Sequence, residues 1–263
     1  MVEFIKLEDV SLRFESQGDS EGTLAVKDLN LTVMQGEFVA VVGPSGCGKS
    51  TLMRLVTGLQ FPTKGRVSVA GEPVTGPVPI AGMAFQNPIM LPWRKTRDNI
   101  MLPLEIVAEH RRTFRKNKVA HIKRADDLLA SVGLKGYGDQ FPWQLSGGMQ
   151  QRASLCRSLI HDPQLLMLDE PFAALDAFTR EELWQIIRDL HIEKGFTTVL
   201  VTHDLREAVY LADRIFVMSA GPGRVLLERD VDIPKPRDIA VTYSPDFGDI
   251  VAELRAHISE ARA

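Results

Sequence analysis

The 263-residue chain has few cysteines, no long apolar run and almost no net charge. Its two cysteines, Cys47 and Cys156, are far apart, so neither a disulfide framework nor a cysteine metal site is predicted, and a reducing compartment fits. No apolar stretch approaches the roughly 18 residues of a membrane span. Residues 1–9 are acidic and lack the apolar core of a signal peptide. The net charge of −3 gives no general attraction to nucleic acid.

The most informative stretch is glycine-rich and lies between a predicted buried strand over residues 37–42 and a predicted helix. It matches the phosphate-loop pattern GxxxxGK[ST] in its required strand, loop, helix context. Glycines let backbone N–H groups converge on a phosphate, lysine adds positive charge for the outer phosphates, and serine offers a hydroxyl to Mg²⁺. A nucleoside triphosphate site is predicted. This phosphate loop (residues 43–51) comprises Gly43, Pro44, Ser45, Gly46, Cys47, Gly48, Lys49, Ser50 and Thr51.

Alternating patterns near the N-terminus predict strands over residues 2–14 and 24–33, with a third over residues 65–71. They suggest a small antiparallel sheet beside a main parallel one. Phe14 ends the first strand, where its ring could stack on a base. Simple core packing is an equally weighted alternative for Phe14.

A helical subdomain is predicted over residues 88–160, inserted after a short strand that ends near Gln86. It carries a basic cluster (residues 111–124), for which a solvated helix face and contact with anionic lipid headgroups both remain open. The cluster consists of Arg111, Arg112, Arg115, Lys116, Lys118, Lys123 and Arg124.

Ser146, Gly147 and Gly148 form a turn that opens a further predicted helix. Small residues and backbone donors at a helix start suit an anion, although an ordinary N-cap would explain this turn taken alone. Asp169 and Glu170 then end a buried strand, an arrangement that holds Mg²⁺ and activates water.

His203 follows a predicted β-branched strand over residues 197–202. The carboxyl edge of parallel strands is where open α/β sheets bind ligands. The other five histidines lack such placement, and we expect them to be surface residues.

In this order, the motifs resemble those of the ATP-binding cassette subunit of ABC transporters, over nearly the whole chain. A narrower resemblance to the nitrate, sulfonate and taurine importer group rests on residues 91–94, 169–180 and 219–225. Met149 replaces the signature glutamine, with little expected effect. Besides the phosphate loop, the matching motifs are the Q-loop Gln86, the signature at residues 145–149, Walker B at residues 165–170, the D-loop at residues 174–176 and the switch histidine His203.

The resemblance implies an α/β P-loop NTPase (RecA-like) fold with an antiparallel β subdomain and an inserted helical subdomain. Residues 1–87 and 161–230 would form the ATP-binding core with the β subdomain, and residues 88–160 the helical subdomain that carries the signature. Residues 231–263 would form a short tail with a helix.

It also implies a head-to-tail homodimer that hydrolyses ATP with Mg²⁺ at the interface. Expected catalytic residues are Glu170 as general base, His203, Gln86 and Lys49. Ser50, Gln86 and Asp169 would hold the metal. Phe14 would stack on adenine, while Ser146, Gly147, Gly148 and Asp176 would reach the nucleotide site of the second copy.

The implied partners are two transmembrane permease subunits and, indirectly, an external solute-binding protein, with no nucleic acid. The chain would then be peripheral, at the cytoplasmic face of the inner membrane. The groove beside Gln86 and residues 88–93 would receive a permease helix, unless Leu91 and Trp93 are simply core. A soluble translation or DNA-repair ATPase of the superfamily is the alternative. A GTPase fails because Ala120 replaces the aspartate of NKxD, and a small-molecule kinase does not explain the signature.

Overall fold

The computed structural model describes residues 2–16, 19–173 and 175–260. Ala174, which the sequence assigns to the D-loop, lies outside the described residues. The strands are β1 Glu3–Ser16, β2 Asp19–Met34, β3 Phe38–Val42, β4 Lys64–Val69, β5 Glu72–Pro73, β6 Ala81–Ala84, β7 Leu165–Asp169, β8 Thr197–Thr202, β9 Arg214–Met218 and β10 Val225–Asp230. The α-helices are α1 Lys49–Val56, α2 Thr96–Ile106, α3 Ala108–Arg111, α4 Lys118–Ser131, α5 Gly147–Leu159, α6 Ala177–Lys194, α7 Leu205–Leu211 and α8 Pro245–Glu260.

The chain packs as two compact units, Met1–Val78 with Phe196–Ala263 and Pro79–Gly195. We call them the first and second unit. The phosphate loop and His203 therefore belong to the first unit, and the signature, Glu170 and Gln86 to the second. The subdomain boundaries expected from the sequence remain a prediction.

In the first unit, an antiparallel sheet has the strand order β2-β1-β4-β5. Leu12 lies opposite Val26 and Phe14 opposite Thr23, with register irregularities between these pairs. Alternate apolar residues of β1 and β2 are buried, which gives this sheet one core face. Both strands run further than the sequence pattern predicted.

The remaining strands of the first unit place the phosphate loop. All five residues of β3 are buried, as expected for the centre of a parallel sheet. β3 pairs in parallel with β8 on one side and β9 on the other, so Val42 lies opposite both Thr202 and Val217. The residues that follow β3 and β8, Gly43 and His203, therefore leave the sheet at the same edge.

In the second unit, β6 pairs in parallel with β7, and Ala84 lies opposite Leu168. The segments that carry Gln86 and Asp169 thus leave this strand pair at one edge. Helices α2, α4 and α5 pack together beside the pair, with Leu104, Leu129 and other apolar side chains buried between them.

Two histidines differ from expectation. His161 and His191 are buried, so the prediction that they lie on the surface was wrong. A His161 ring nitrogen lies 3.3 Å from the carbonyl oxygen of Ala81, and burial lowers the pKa of this histidine. Among the described residues, none of the helices is both long and apolar enough to cross a bilayer.

Candidate nucleotide-binding site

The phosphate loop has the backbone conformation that its glycines permit. Gly46 and Gly48 have φ angles of 78° and 94°, a left-handed region that side chains with a Cβ rarely adopt. Gly48 is also packed closely, because a Cβ there would lie 2.6 Å from Cγ1 of Val26. Helix α1 begins at Lys49 without a side-chain cap, so its first N–H groups remain available to an anion.

Lys49 is held inside the loop. It is only 7% exposed, and its Nζ donates hydrogen bonds of 2.9 Å to the carbonyl oxygens of Gly43 and Pro44. The same nitrogen lies 3.7 Å from Sγ of Cys47. A full positive charge is thus fixed beside the backbone donors, whereas Ser50 is exposed at the start of α1.

Gly223 supports the loop in a way that the sequence did not reveal. A Cβ at this position would lie 2.0 Å from the carbonyl oxygen of Cys47, so only glycine allows this approach. Its N–H donates to Ala25 and its carbonyl accepts from Lys27. The sequence around it, Gly221-Pro222-Gly223, is typical of a hairpin tip, and nothing local in it points to the phosphate loop.

Phe14 is half-buried on β1. Its neighbour on β2 is Thr23, three residues before the Val26 that contacts Gly48. The ring therefore belongs to the part of the antiparallel sheet that adjoins the phosphate loop, which is compatible with both of its predicted roles.

His203 is exposed on a loop that buried hydrogen bonds fix. Oγ1 of Thr202 donates to Oε1 of Glu207 at 2.9 Å and accepts from the N–H of Asp204 at 3.0 Å. Asp204 in turn caps α7 by accepting from the N–H of Arg206. The sequence analysis did not identify Thr202 and Glu207 as supports of the histidine loop. The only signal in the sequence is a threonine directly before the histidine and an acidic residue four positions after it.

In the second unit, β7 ends at the predicted metal ligand Asp169, and the predicted general base Glu170 follows directly. Asp169 and Glu170 are both half-buried. Glu170 has a φ angle of 44°, which is uncommon for a residue other than glycine and often marks a functional site. Its carbonyl accepts a hydrogen bond of 3.2 Å from Ala173.

Gln86 is exposed at the end of β6, and two buried amides hold its surroundings. Nε2 of Gln151 donates to the carbonyl oxygen of Phe85 at 3.1 Å. Asn99 bonds to the N–H and carbonyl of Leu91. Trp93 is 71% exposed, so this ring is not part of the subdomain core.

The signature turn is both a helix cap and part of a cavity. Ser146 caps α5, and its Oγ accepts from the N–H of Met149 at 3.3 Å. Ser146, Gly148 and Asp176 line one cavity of about 450 Å³ together with Tyr137. The structure therefore brings three of the predicted nucleotide-binding residues together within the second unit. Gly147 adjoins them in sequence, and apart from its own helix no described residue lies within 4 Å of where its Cβ would be.

Asp176 caps α6 by accepting a hydrogen bond of 3.1 Å from the N–H of Thr179. Hydrogen bonds from the Thr179 side chain, and then from its backbone, lower the pKa of Asp176. Two large apolar side chains of the second unit, Phe178 and Trp143, are 82% and 64% exposed. Trp143 lies two residues before the signature and Phe178 lies two residues after Asp176, so both side chains are available to a partner.

A left-handed glycine loop between a buried strand and a helix, with an enclosed lysine, defines a P-loop nucleotide-binding protein. The family model described as ABC transporter matches residues 26–173, more than half of the chain. The chain belongs to the ABC transporter family, and it is an ATPase of that family.

Known proteins similar to the chain include two ATP-binding proteins named for transport and a solved structure. The aliphatic sulfonates import ATP-binding protein SsuB of Bacillus licheniformis is 42% identical over 243 residues, which cover 87% of each chain. The bicarbonate transport ATP-binding protein CmpC of Synechococcus elongatus is 40% identical across 95% of this chain and 37% of CmpC. A dimeric post-hydrolysis structure of the ATP-binding cassette MJ0796 with ADP and Pi has a TM-score of 0.74 and 31% identity, covering 88% of this chain and all of that one.

These similarities confirm the predicted P-loop NTPase fold, the resemblance to ATP-binding subunits of ABC importers and the ATPase activity. The roles assigned to individual residues remain predictions.

Proposed function

We propose that the chain is the ATP-hydrolysing subunit of an importer for a small anion, working as a head-to-tail homodimer on two permease subunits. The main support is that one chain carries two different phosphate-directed helix starts. One surrounds Lys49 in the first unit, and the other lines the cavity with Ser146, Gly148 and Asp176 in the second. One triphosphate can use both kinds of helix start when a second copy supplies the signature.

Each residue has a role that its surroundings support. Lys49 would bind the outer phosphates, and His203 would contact the γ-phosphate from a loop held by Thr202 and Glu207. Glu170 would take the proton of the attacking water, helped by a backbone conformation that fixes its direction. Phe14 would stack on adenine.

Ser50, Gln86 and Asp169 offer hydroxyl, amide and carboxylate oxygens, which are the ligands that Mg²⁺ prefers. The metal, when bound, neutralises charge on the phosphates. These oxygens fit the ion in chemical type; Ser50 and Gln86 are exposed and Asp169 is half-buried.

The surroundings of Gln86 support coupling to a membrane partner. Trp93 and Ile89 are largely exposed, while Asn99 and Arg157 hold the backbone that carries them. Apolar side chains presented on an anchored loop suit a docking helix. The chain would then lie at the cytoplasmic face of the inner membrane and serve, through the permeases, an external solute-binding protein.

The substrate class is proposed from the relatives. SsuB and CmpC are named for aliphatic sulfonates and bicarbonate, so a small anion such as nitrate, a sulfonate or taurine is the proposed solute. The residues of this chain offer no separate argument for one of these anions.

The dependence of ATPase activity on protein concentration tests the dimer. If each active site needs two copies, specific activity falls as the protein is diluted below its dimer dissociation constant. Constant specific activity down to the lowest dilution, with no dimer in light scattering, would contradict the proposal.

Co-purification with two copies of an integral membrane protein tests the importer assignment, and a Trp93 crosslink to that protein tests the docking loop.

A further inference from the structure

A cavity of about 520 Å³ in the first unit lies between the His203 loop and the tail helix α8. The proposed mechanism gives the α8 wall no role. Six of the lining residues matter here: Gly43, His203, Arg206, Val251, Arg255 and Ile258. The cavity therefore joins the start of the phosphate loop, the switch histidine and the tail.

The charges in this cavity favour an anion. Arg206 and Arg255 are exposed, and neither forms an ion pair with a carboxylate in the part of the chain that the structure describes. Arg229, by comparison, pairs with Asp232 and with Glu253 of the same helix α8. Two guanidinium groups from opposite walls are well suited to a sulfonate, carboxylate or phosphate, which each can bind through paired N–H donors.

One carboxylate also lines the cavity. Asp204 caps α7, and one of its oxygens accepts from the backbone N–H of Arg206 at 2.8 Å. This capping role accounts for a carboxylate at the end of β8 and leaves the two arginine side chains without a salt bridge to it.

The α8 wall adds apolar surface. Val251 and Ile258 are half-buried and line the cavity. The volume is within the range of about 300–1,000 Å³ that small-molecule pockets occupy. It exceeds what a bare phosphate would fill, and the apolar side chains would contact a short hydrocarbon group.

We propose that this cavity binds a small organic oxyanion between Arg206 and Arg255, and that the bound anion slows ATP hydrolysis. A ligand held by both walls would stabilise one position of the loop that carries His203, so that the loop responds less readily to the γ-phosphate. The inhibitory effect rests on the proposed function. The ATPase subunit of an importer of organic anions would thereby slow its own ATP hydrolysis when anions of that class accumulate.

Direct binding tests the site without ATP turnover. The full-length chain carrying Lys49→Ala, which weakens anion binding in the phosphate loop, is titrated with 1-butanesulfonate or inorganic phosphate at constant ionic strength in a calorimeter. We expect saturable 1:1 binding of butanesulfonate and weaker binding of phosphate. Arg255→Gln and Arg206→Gln should each weaken butanesulfonate binding by about tenfold or more, as expected for loss of a charged hydrogen-bond donor.

The matched control is Arg66→Gln, since Arg66 is an exposed arginine on β4, away from the cavity; it should leave binding unchanged. Absence of saturable binding, or equal affinities in the Arg255→Gln and Arg66→Gln chains, would overturn the site. Phosphate binding as tightly as butanesulfonate would overturn the organic ligand and indicate a site for the released product. Circular dichroism of each variant verifies folding.

Turnover tests the inhibition separately. In the chain with Lys49 intact, saturating butanesulfonate should reduce the ATPase rate several-fold, and Arg255→Gln should abolish that reduction at the same concentration. Equal rates with and without the sulfonate would overturn the inhibitory role. A chain without any ATPase activity would contradict the proposed function, while the titration would still decide the site.

Discussion

The two helix starts proposed to bind phosphate, those of α1 and α5, differ in how many phosphate-binding features each one contains. The start of α1 has left-handed glycines, no side-chain cap and a buried lysine held at 2.9 Å by the loop's own carbonyls. The start of α5 has no enclosed lysine; Arg152, which lines the same cavity, is paired with Glu182, and the hydroxyl of Ser146 already caps the helix. The space around Gly147 is open.

This difference indicates a division of labour. The phosphate loop has charge, donors and shape within one chain, so we expect it to bind nucleotide without a second copy. The signature turn has donors and open space, and the nearby charges of Arg152 and Asp176 are engaged with Glu182 and Thr179. This suits a surface that closes on a phosphate already neutralised elsewhere. Substitutions in the two helix starts and at Glu170 should therefore affect ATP binding, dimer closure and ATP hydrolysis separately.

Hydrolysis should depend most strongly on a residue outside both helix starts. We expect Glu170→Gln to reduce turnover by about 10²- to 10⁴-fold, the usual contribution of a positioned base. ATP binding should persist, because both helix starts are intact, and a stable ATP-bound dimer should accumulate in size-exclusion chromatography. Glu193→Gln, at an exposed position of α6, is the control. Full activity in the Glu170 variant would remove the residue from the mechanism.

Binding should depend on the first helix start. Lys49→Ala removes the enclosed ammonium, and ATP affinity should fall about ten- to a hundredfold, as for loss of a charged hydrogen-bond donor. The measurement is equilibrium binding of ATP to the dilute protein. Lys64→Ala removes an exposed lysine from β4 and should have no effect. Unchanged affinity in the Lys49 variant would mean that the phosphate loop does not bind the nucleotide.

Closure should depend on the second helix start. Outside its own helix, a Cβ at Gly147 would meet none of the described residues within 4 Å, so Gly147→Ala should fold normally and bind ATP like the parent. The added methyl would obstruct an approaching second copy, and we expect ATPase activity and ATP-dependent dimerisation to fall roughly tenfold, as crowding a packed interface does.

Gly248→Ala is a close control for that variant. Gly248 is an exposed helical glycine in α8 whose Cβ would also meet no described residue outside its own helix within 4 Å. Both substitutions change helix propensity in the same way, so only the position differs. Equal activities in the two variants would argue against a signature turn that works across an interface.

The sequence predicted the parts of the site that are local. The phosphate-loop spacing fixes glycines, lysine and serine relative to a helix start, and the acids after a buried strand fix Asp169 and Glu170. The supporting contacts were not predictable in this way. Gly223 approaches Cys47 from a distant hairpin, and Gln151 of helix α5 reaches Phe85 just after strand β6. Tertiary packing, rather than local pattern, decides such pairs.

His161 is a further case that local pattern does not predict, because the periodicity of the sequence does not indicate that its ring is buried against Ala81. Strands β1 and β2 are also longer than the sequence predicts, because polar residues continue their pairing beyond the alternating pattern. Burial of a polar side chain depends on partners that a single sequence does not identify.

The smallest effect should come from the support of His203. Thr202→Val keeps the shape of the side chain but removes the bonds to Glu207 and Asp204, leaving a buried carboxyl with one partner fewer. We expect the free energy of unfolding to fall by about 1–3 kcal/mol and kcat to fall several-fold, with ATP affinity unchanged because the phosphate loop is untouched.

Thr198→Val separates positioning from general destabilisation. Thr198 is buried four residues earlier on β8, and among the described residues its hydroxyl has no hydrogen-bond partner, so valine there should cost little stability and leave kcat unchanged. Thermal unfolding and steady-state ATPase assays on both variants make the comparison. If Thr202→Val lowers the unfolding temperature without changing kcat, the hydrogen bonds stabilise β8 but do not set the position of His203.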